Sequence, residues 1–241
     1  MIKKSSDKVL AIIPARGGSK RIPNKNIRLF YGLPIIAYSI KAAEEAGCFT
    51  EVMVSTDDDK IAKIAKQFGA KVPFMRSQEN SSDYAILADV CIEVIKKYLE
   101  YDKNFDSICC ILPTAPFINL KKIINAKVLL DKGGYSGVFT VVEYSYPIQR
   151  SLKIENGFVR MRWPENLFAR SQDLEKSYHD AGQFYFIKIN TLLAEKKLFS
   201  EKSAAIILDN FEAQDIDTEA DWKLAEIKYE TIKRLRKTQG S

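Results

Sequence analysis

Ile12–Asn26 reads IIPARGGSKRIPNKN and joins the apolar run Val9–Pro14 to a loop with two glycines and four cations, Arg16, Lys20, Arg21 and Lys25. An apolar run ending abruptly in Gly-Gly predicts a buried strand that enters a tight turn. Gly17 and Gly18 would supply positive φ there and let backbone N–H groups approach a ligand. Cations this dense repel one another unless an anion sits among them. A polyphosphate meets that need; a solvated basic loop is the alternative. The motif is not a P-loop, because the order is Gly-Ser-Lys and no glycine stands five residues earlier. Nor can a G-x-G-x-x-G dinucleotide fingerprint be fitted. Phosphate binding through another architecture is expected.

Downstream, strand and helix patterns alternate. Pro34–Ala46 has apolar residues at helical spacing, with Pro34 suited to a first turn and Gly47 to a stop. The strand Glu51–Ser55 breaks at Thr56-Asp57-Asp58, where a carboxylate would cap the helix Asp59–Phe68. Gly69 ends that helix and Val72–Met75 begins a third strand. The polar loop Arg76–Asp83 precedes the amphipathic helix Tyr84–Tyr98. Ser107–Leu112 is a continuous apolar strand running into Pro113-Thr114-Ala115-Pro116, followed by a helix over Leu120–Leu130 and a strand over Gly137–Val142. This alternation with short connections predicts an α/β fold with a doubly wound, mainly parallel sheet. Ligands on such sheets sit outside the carboxyl ends of the strands. The basic loop, Thr56-Asp57, Arg76 and the Pro-Thr-Ala-Pro turn all lie at those ends, so one pocket is expected to gather them.

The alternation stops at Tyr144. Residues 144–178 are polar and irregular, with Arg150, Arg160, Arg162 and Arg170 beside Trp163 and Phe168. Leu152–Ile154 and Phe158–Arg162 flank Glu155-Asn156-Gly157 and read as a hairpin around an Asn-Gly turn. An excursion this long is either functional or a solvent-exposed hairpin. Ala181–Lys188 and Ala204–Leu208 return to strand, and Thr218–Arg236 closes the chain as a helix.

The 241 residues suffice for one large domain over 1–241, although length alone also permits two small ones. With 46% hydrophobic residues there is enough apolar material for a core. The net charge of +6 is spread along the chain with no basic arm or stripe. Nucleic acid is therefore not expected as a partner, and a small anionic substrate accounts for the charge as well. Cys48, Cys91, Cys109 and Cys110 show no C-x-x-C spacing. Adjacent Cys109 and Cys110 in a strand point to opposite faces, so a reducing cytoplasm is the simplest compartment. Lys3 and Lys4 precede an apolar run that Arg16 interrupts, too short for a signal-peptide core. No stretch reaches the ~18 apolar residues of a spanning helix, so no membrane is expected. Gly240-Ser241 is set aside from the fold.

Asp215-Ile216-Asp217 places two carboxylates on one side of an extended segment, about 6–7 Å apart. They could share a Mg²⁺ that keeps several waters; a helix pattern follows directly, so Asp217 as a helix cap is the alternative.

The pattern I-I-P-A-R-x-x-S-K-x-x-x-x-K-N resembles the opening motif of the CMP-sialic acid synthetase family, cytidylyltransferases for nonulosonic and related acid sugars. The similarity runs on to Trp222. It implies a nucleotide-diphospho-sugar transferase-like fold, CTP and a nonulosonic acid as substrates, and Mg²⁺. It also implies a homodimer in which the 144–178 insertion swaps across to help cover the partner's sugar site. Arg16, Ser19, Lys20, Lys25 and Asn26 match the motif residue by residue, with Gly17 among them. The resemblance implies that Arg16 and Lys20 lie along the phosphates, that Lys25 neutralises the α-phosphate, and that Asn26 contacts the nucleotide. Arg21 falls at a variable position and reads as surface. Arg76 stands where the family has a nucleotide-contacting arginine, a surface cation being the alternative. Asp83 would orient that loop or cap the next helix.

The segment DIDTEADWKLAE resembles the family's D-I-D-T-x-x-D-W motif, which implies Asp215 and Asp217 as metal ligands and leaves Asp221 to the helix. Leu112-Pro113-Thr114-Ala115-Pro116 corresponds to the family's Q-P-T-S-P, with Thr114 matching and Leu112 replacing a glutamine that faces the sugar. That departure counts against N-acetylneuraminic acid. Together with Tyr146–Arg150 and Tyr178–Tyr185, it looks like the branch acting on pseudaminic acid, a dideoxy diamino sugar. Legionaminic acid, N-acetylneuraminic acid, Kdo and a non-catalytic nucleotide-binding module are the rivals. His179, the only histidine, reads as a structural partner of Asp180 or a substrate hydrogen bond before it reads as a general base. Gln183 could donate to the sugar, Arg150 could pair with its carboxylate as a fork, and Arg170 is a further candidate for substrate binding.

Overall fold

In the computed structural model, which describes residues 7–239, the strand β1 (Val9–Pro14) is buried at every position. Lys3, Lys4 and Gly240-Ser241 lie outside the described residues. A small clip, β2 (Leu29–Phe30) with β3 (Leu33–Pro34), leads to α1 (Ile36–Ala46), β4 (Glu51–Ser55) and α2 (Asp59–Gln67). The alternation continues through α3 (Leu87–Glu100), β5 (Ser107–Ile111), α4 (Leu120–Asp131) and β6 (Gly137–Glu143). The hairpin β7 (Leu152–Glu155) and β8 (Phe158–Met161) follows. Then come β9 (Tyr178–Lys188), α5 (Ile189–Glu195), β10 (Ser203–Leu208) and α6 (Glu219–Gln239).

The main sheet has the order β10-β6-β9-β5-β1-β4. β1 runs parallel to both β4 and β5, and β10 parallel to β6. β9 alone is antiparallel, wedged between β5 and β6. The excursion explains that reversal, because the chain leaves the end of β6 and re-enters the sheet from the same side. Alternation along each strand then feeds two cores. Val9, Ala11 and Ile13 pack with α1, α2 and α4, whereas Leu10 and Ile12 pack with α3 and α5. Cys109 and Cys110 fall into opposite cores, and all four cysteines are free. A third cluster seats Ile22, Phe30, Ile216 and Trp222 together, tying the basic loop to the start of α6.

Several expectations need correction. Val72–Met75 is not a strand: only Lys71 bridges to Met53, and Pro73 has no N–H with which to extend a ladder. α3 begins at Leu87, not Tyr84, whose ring is turned to solvent. Pro34 sits in β3 and not in the first turn of α1. Neither Gly17 nor Gly18 has positive φ; the left-handed residue of the basic loop is Asn24, φ 53°. β9 starts three residues ahead of Ala181, which brings His179 and Asp180 into the sheet. The hairpin turn is as expected, with Asn156 and Gly157 at φ 52° and 81°.

Candidate active site

The carboxyl ends of β1 and β5 open onto a cavity of about 350 Å³. Arg16, Ser19, Lys20, Lys25, Asn26, Arg76, Leu112, Thr114, Asp215 and Asp217 all line it, as the sequence reading expected. Thr56-Asp57 does not, and acts behind the wall instead. The Thr56 carbonyl accepts from the Arg76 N–H at 2.8 Å, and Asp57 Oδ1 accepts from Gly17 N–H at 2.9 Å. Gly17 is likewise absent from the lining, since its N–H is already spent on Asp57. Its need for glycine is steric: a Cβ would stand 2.8 Å from Asp58 Oδ2 and 2.9 Å from Asp58 Cβ. Asp58 is fixed there as the N-cap of α2, accepting from Lys60 and Ile61 at 2.7 and 3.0 Å.

Asn24 turns the chain into a 3₁₀ turn, Lys25–Ile27, that aims Lys25 and Asn26 inward. Asn26 is buried and donates to the Arg16 carbonyl at 2.9 Å. Lys25 Nζ donates to the Ile216 carbonyl at 2.7 Å and to Asp217 Oδ1 at 3.2 Å. Arg16 Nη1 donates to the Ser82 carbonyl at 3.0 Å and Asp83 Oδ1 at 2.7 Å, and Lys20 Nζ to Asp83 Oδ2 at 2.5 Å. Hydrogen bonds from Lys20 and Arg16 hold the Asp83 carboxyl below the ordinary carboxylate range. Arg21 is exposed, as the sequence reading has it, and from the surface it also lines the cavity and reaches Asp217 Oδ2 at 2.9 Å. Arg76 is no surface cation either. It is buried and clamps Ser55 through Oγ at 3.0 Å and through the carbonyl. Burial lowers its pKa, with Asp57 and Glu93 opposing that shift.

Ile216 explains how the paired aspartates are presented. It is fully buried against Trp222 and Phe30, so extended backbone turns both neighbours towards the cavity. Thr218 and Asp221 form the cap of α6: Thr218 N–H donates to Asp221 Oδ2 at 2.8 Å and Asp221 N–H to Thr218 Oγ1 at 3.2 Å. Asp217 is therefore not the cap. Protein packed around Asp215, then the charge of Asp217, raises the Asp215 carboxyl above its ordinary range, and Lys25 opposes this. Among the described residues no cluster of three or more His, Cys, Asp or Glu side chains is placed to hold a metal. The pair suits a hard cation that takes two protein oxygens and fills its remaining positions with water and phosphate.

A second cavity of about 500 Å³ adjoins the first, and Leu112 and Asp215 line both. His179, Asp180, Tyr185 and Lys228 also face it. His179 Nδ1 lies 2.8 Å from the Asp180 carbonyl, and its ring meets Tyr144 edge-on at 4.9 Å. Asp180 accepts from Tyr185 Oη at 2.7 Å and from Gly182 N–H at 2.9 Å. Burial and then Asp180 push the Tyr185 phenol well above its ordinary pKa.

Gln183 does not reach this cavity; it is buried and donates to the Glu212 carbonyl, bracing the 209–215 loop. Arg150 and Arg170 line neither cavity. Arg150 donates to the Ala169 carbonyl at 2.5 Å and Arg170 pairs with Asp173 at 2.6 Å. Sequence reasoning missed Arg21, Asp180, Tyr185 and Lys228. For Lys228 no motif signals the role, since it sits mid-helix.

A family model described as Cytidylyltransferase matches residues 10–239. The chain is 41% identical over 223 residues to a pseudaminic acid cytidylyltransferase of Campylobacter jejuni, covering 92% of this chain and 96% of that one. It is 36% identical over 228 residues to a CMP-N,N'-diacetyllegionaminic acid synthase of Legionella pneumophila, covering 91% and 95%. Among solved structures, a CMP:2-keto-3-deoxy-manno-octonic acid synthetase complexed with CTP superposes with TM-score 0.67 at 18% identity, over 94% of this chain and 99% of that one. That likeness shows the shared fold.

Proposed function

This chain belongs to the cytidylyltransferase family, and from that premise we propose that it joins CTP to pseudaminic acid, giving CMP-pseudaminic acid and pyrophosphate. The observation carrying the proposal is the junction: a cation-rich cavity and a second cavity meet at Leu112 and Asp215. The first has five cations against three carboxylates, an excess suited to a triphosphate. The second presents Leu112 where a glutamine would favour a more polar sugar. The C. jejuni relative carries the same substrate in its name.

In this reading the sugar's anomeric hydroxyl enters from the second cavity, gives its proton to water and bonds to the α-phosphorus, while the bond from that phosphorus to the α–β bridging oxygen breaks and pyrophosphate leaves. Arg16 and Lys20 hold the β- and γ-phosphates, and Lys25 offsets charge developing at the α-phosphate. Ser19, Asn26, Arg76 and Thr114 orient the nucleotide. Asp215 and Asp217 would hold a Mg²⁺, which supplies charge neutralisation at the phosphates. His179 serves as a substrate hydrogen bond. We further propose a cytoplasmic homodimer built on the excursion. Leu152, Ile154 and Val159 share one face of the β7–β8 hairpin and are 57%, 75% and 61% exposed, an apolar stripe suited to a partner copy.

Pyrophosphate release with CTP and Mg²⁺, measured separately with pseudaminic, legionaminic and N-acetylneuraminic acids, tests the substrate. Release with pseudaminic acid alone is expected. Preference for another sugar would overturn the substrate, and no release with any would overturn the transferase reading.

A further inference from the structure

We infer that Lys228 receives the carboxylate of the acid sugar in the second cavity, an assignment that rests on the transferase reading above. Among the described residues lining that cavity, Lys228 is the only lysine or arginine; Asp180 and Asp215 are both acidic. A carboxylate entering there meets one full positive charge among those side chains, and Lys228 carries it. The ammonium is held for this purpose. Nζ donates to the Asn210 carbonyl at 2.9 Å and the Ala213 carbonyl at 2.8 Å, and both residues line the same cavity. Two of its three N–H groups are thus spent on neutral acceptors, and one remains for a ligand.

The contrast with other lysines of the molecule is informative. Lys20, Lys25, Lys71 and Lys97 each have a carboxylate partner within 4 Å, whereas no such partner is found for Lys228 among the described residues. Burial lowers its proton affinity, and only the more distant Asp209 opposes this. A bound carboxylate would supply the missing counter-charge. Arg150, which the sequence suggests for this task, is turned to the Ala169 carbonyl instead.

The rival explanation is that Lys228 only braces the 209–215 loop. A sugar acid and its C1 methyl ester distinguish the two. With the parent, the ester should lose about 10- to 100-fold in kcat/KM relative to the acid. Lys228→Met should lose a similar factor on the acid, with KM for CTP unchanged, and its acid-to-ester ratio should fall to near one. Lys228→Arg should restore much of the preference. Lys228→Gln retains amide donors without the charge; it should also lose the preference, and it serves if the Met variant fails to fold. A Lys228→Met or Lys228→Gln variant that keeps the parent's acid-to-ester ratio, whatever its absolute rate, would overturn the assignment. So would a parent indifferent to esterification. Turnover of the acid by the parent reports on the transferase reading separately.

Discussion

Arg16 and Lys20 share Asp83, and Lys25 and Arg21 share Asp217; in the adjoining cavity, Lys228 rests on two carbonyls and Asp180 on a hydroxyl and an amide. The first cavity keeps these four cations in place with internal counter-ions. Its exposed ion pairs are weak and screened, so a polyanion with several charges can replace the protein carboxylates at little cost. The second keeps its charges in place with neutral dipoles, and each retains its full net charge for a ligand. One cavity is arranged to exchange ion pairs, the other to form new ones.

The largest expected effect falls on Lys25, whose side chain is only 20% exposed and ties the loop to the Asp217 segment. Lys25→Ala should lower kcat by roughly 10²- to 10³-fold with little change in KM for the sugar, as read by pyrophosphate release. A kcat close to that of the parent would break the comparison, because the first cavity would then bind without catalysing.

Glu93 gives a smaller effect. It accepts from Ser77 N–H at 2.8 Å and Ser77 Oγ at 2.7 Å, and also from Asn80, so it anchors the loop that carries Asp83. Burial alone would raise its pKa, but hydrogen bonds from Lys97, Asn80 and Ser77 bring it down to about 2, from 4.5 unperturbed. The folded value lies below the unfolded one. Its stabilisation is therefore full above pH 4.5 and fades as the pH falls towards about 2. Glu93→Gln should cost about 2 kcal/mol near neutral pH in urea unfolding, with a smaller gap from the parent at about pH 3. An equal gap at both pH values would show that the carboxylate's charge is not what anchors the loop.

The smallest effect sharpens the idea of exchange. Asp83→Asn frees Arg16 and Lys20, so KM for CTP should fall by about threefold at low salt and approach the parent's as salt rises. A raised KM would mean that Asp83 orients these cations and does not compete with the phosphates.

The fold was readable from periodicity because each strand and helix declares its buried face locally. The errors fell where a neighbour decides: Pro73 lost a strand for want of an N–H, and Gly17 needs its small size because of Asp58, a residue distant in the chain. Arg21 is at the surface as read, but nothing in its surroundings names Asp217 as its partner. Gln183 looked like a ligand donor because a strand pattern does not say which loop crosses its end.

The sequence by itself determined the α/β alternation, the cation-rich loop, the paired aspartates around Ile216 and the family, since these are written in contiguous residues or in local spacing. Tertiary structure alone decided that Leu112 and Asp215 stand between two cavities, that Asp83 pairs with Arg16 and Lys20, and that Lys228 faces the second cavity. Those relations join residues from distant segments. Their energies depend on distance and burial, which exist only after the sheet has assembled.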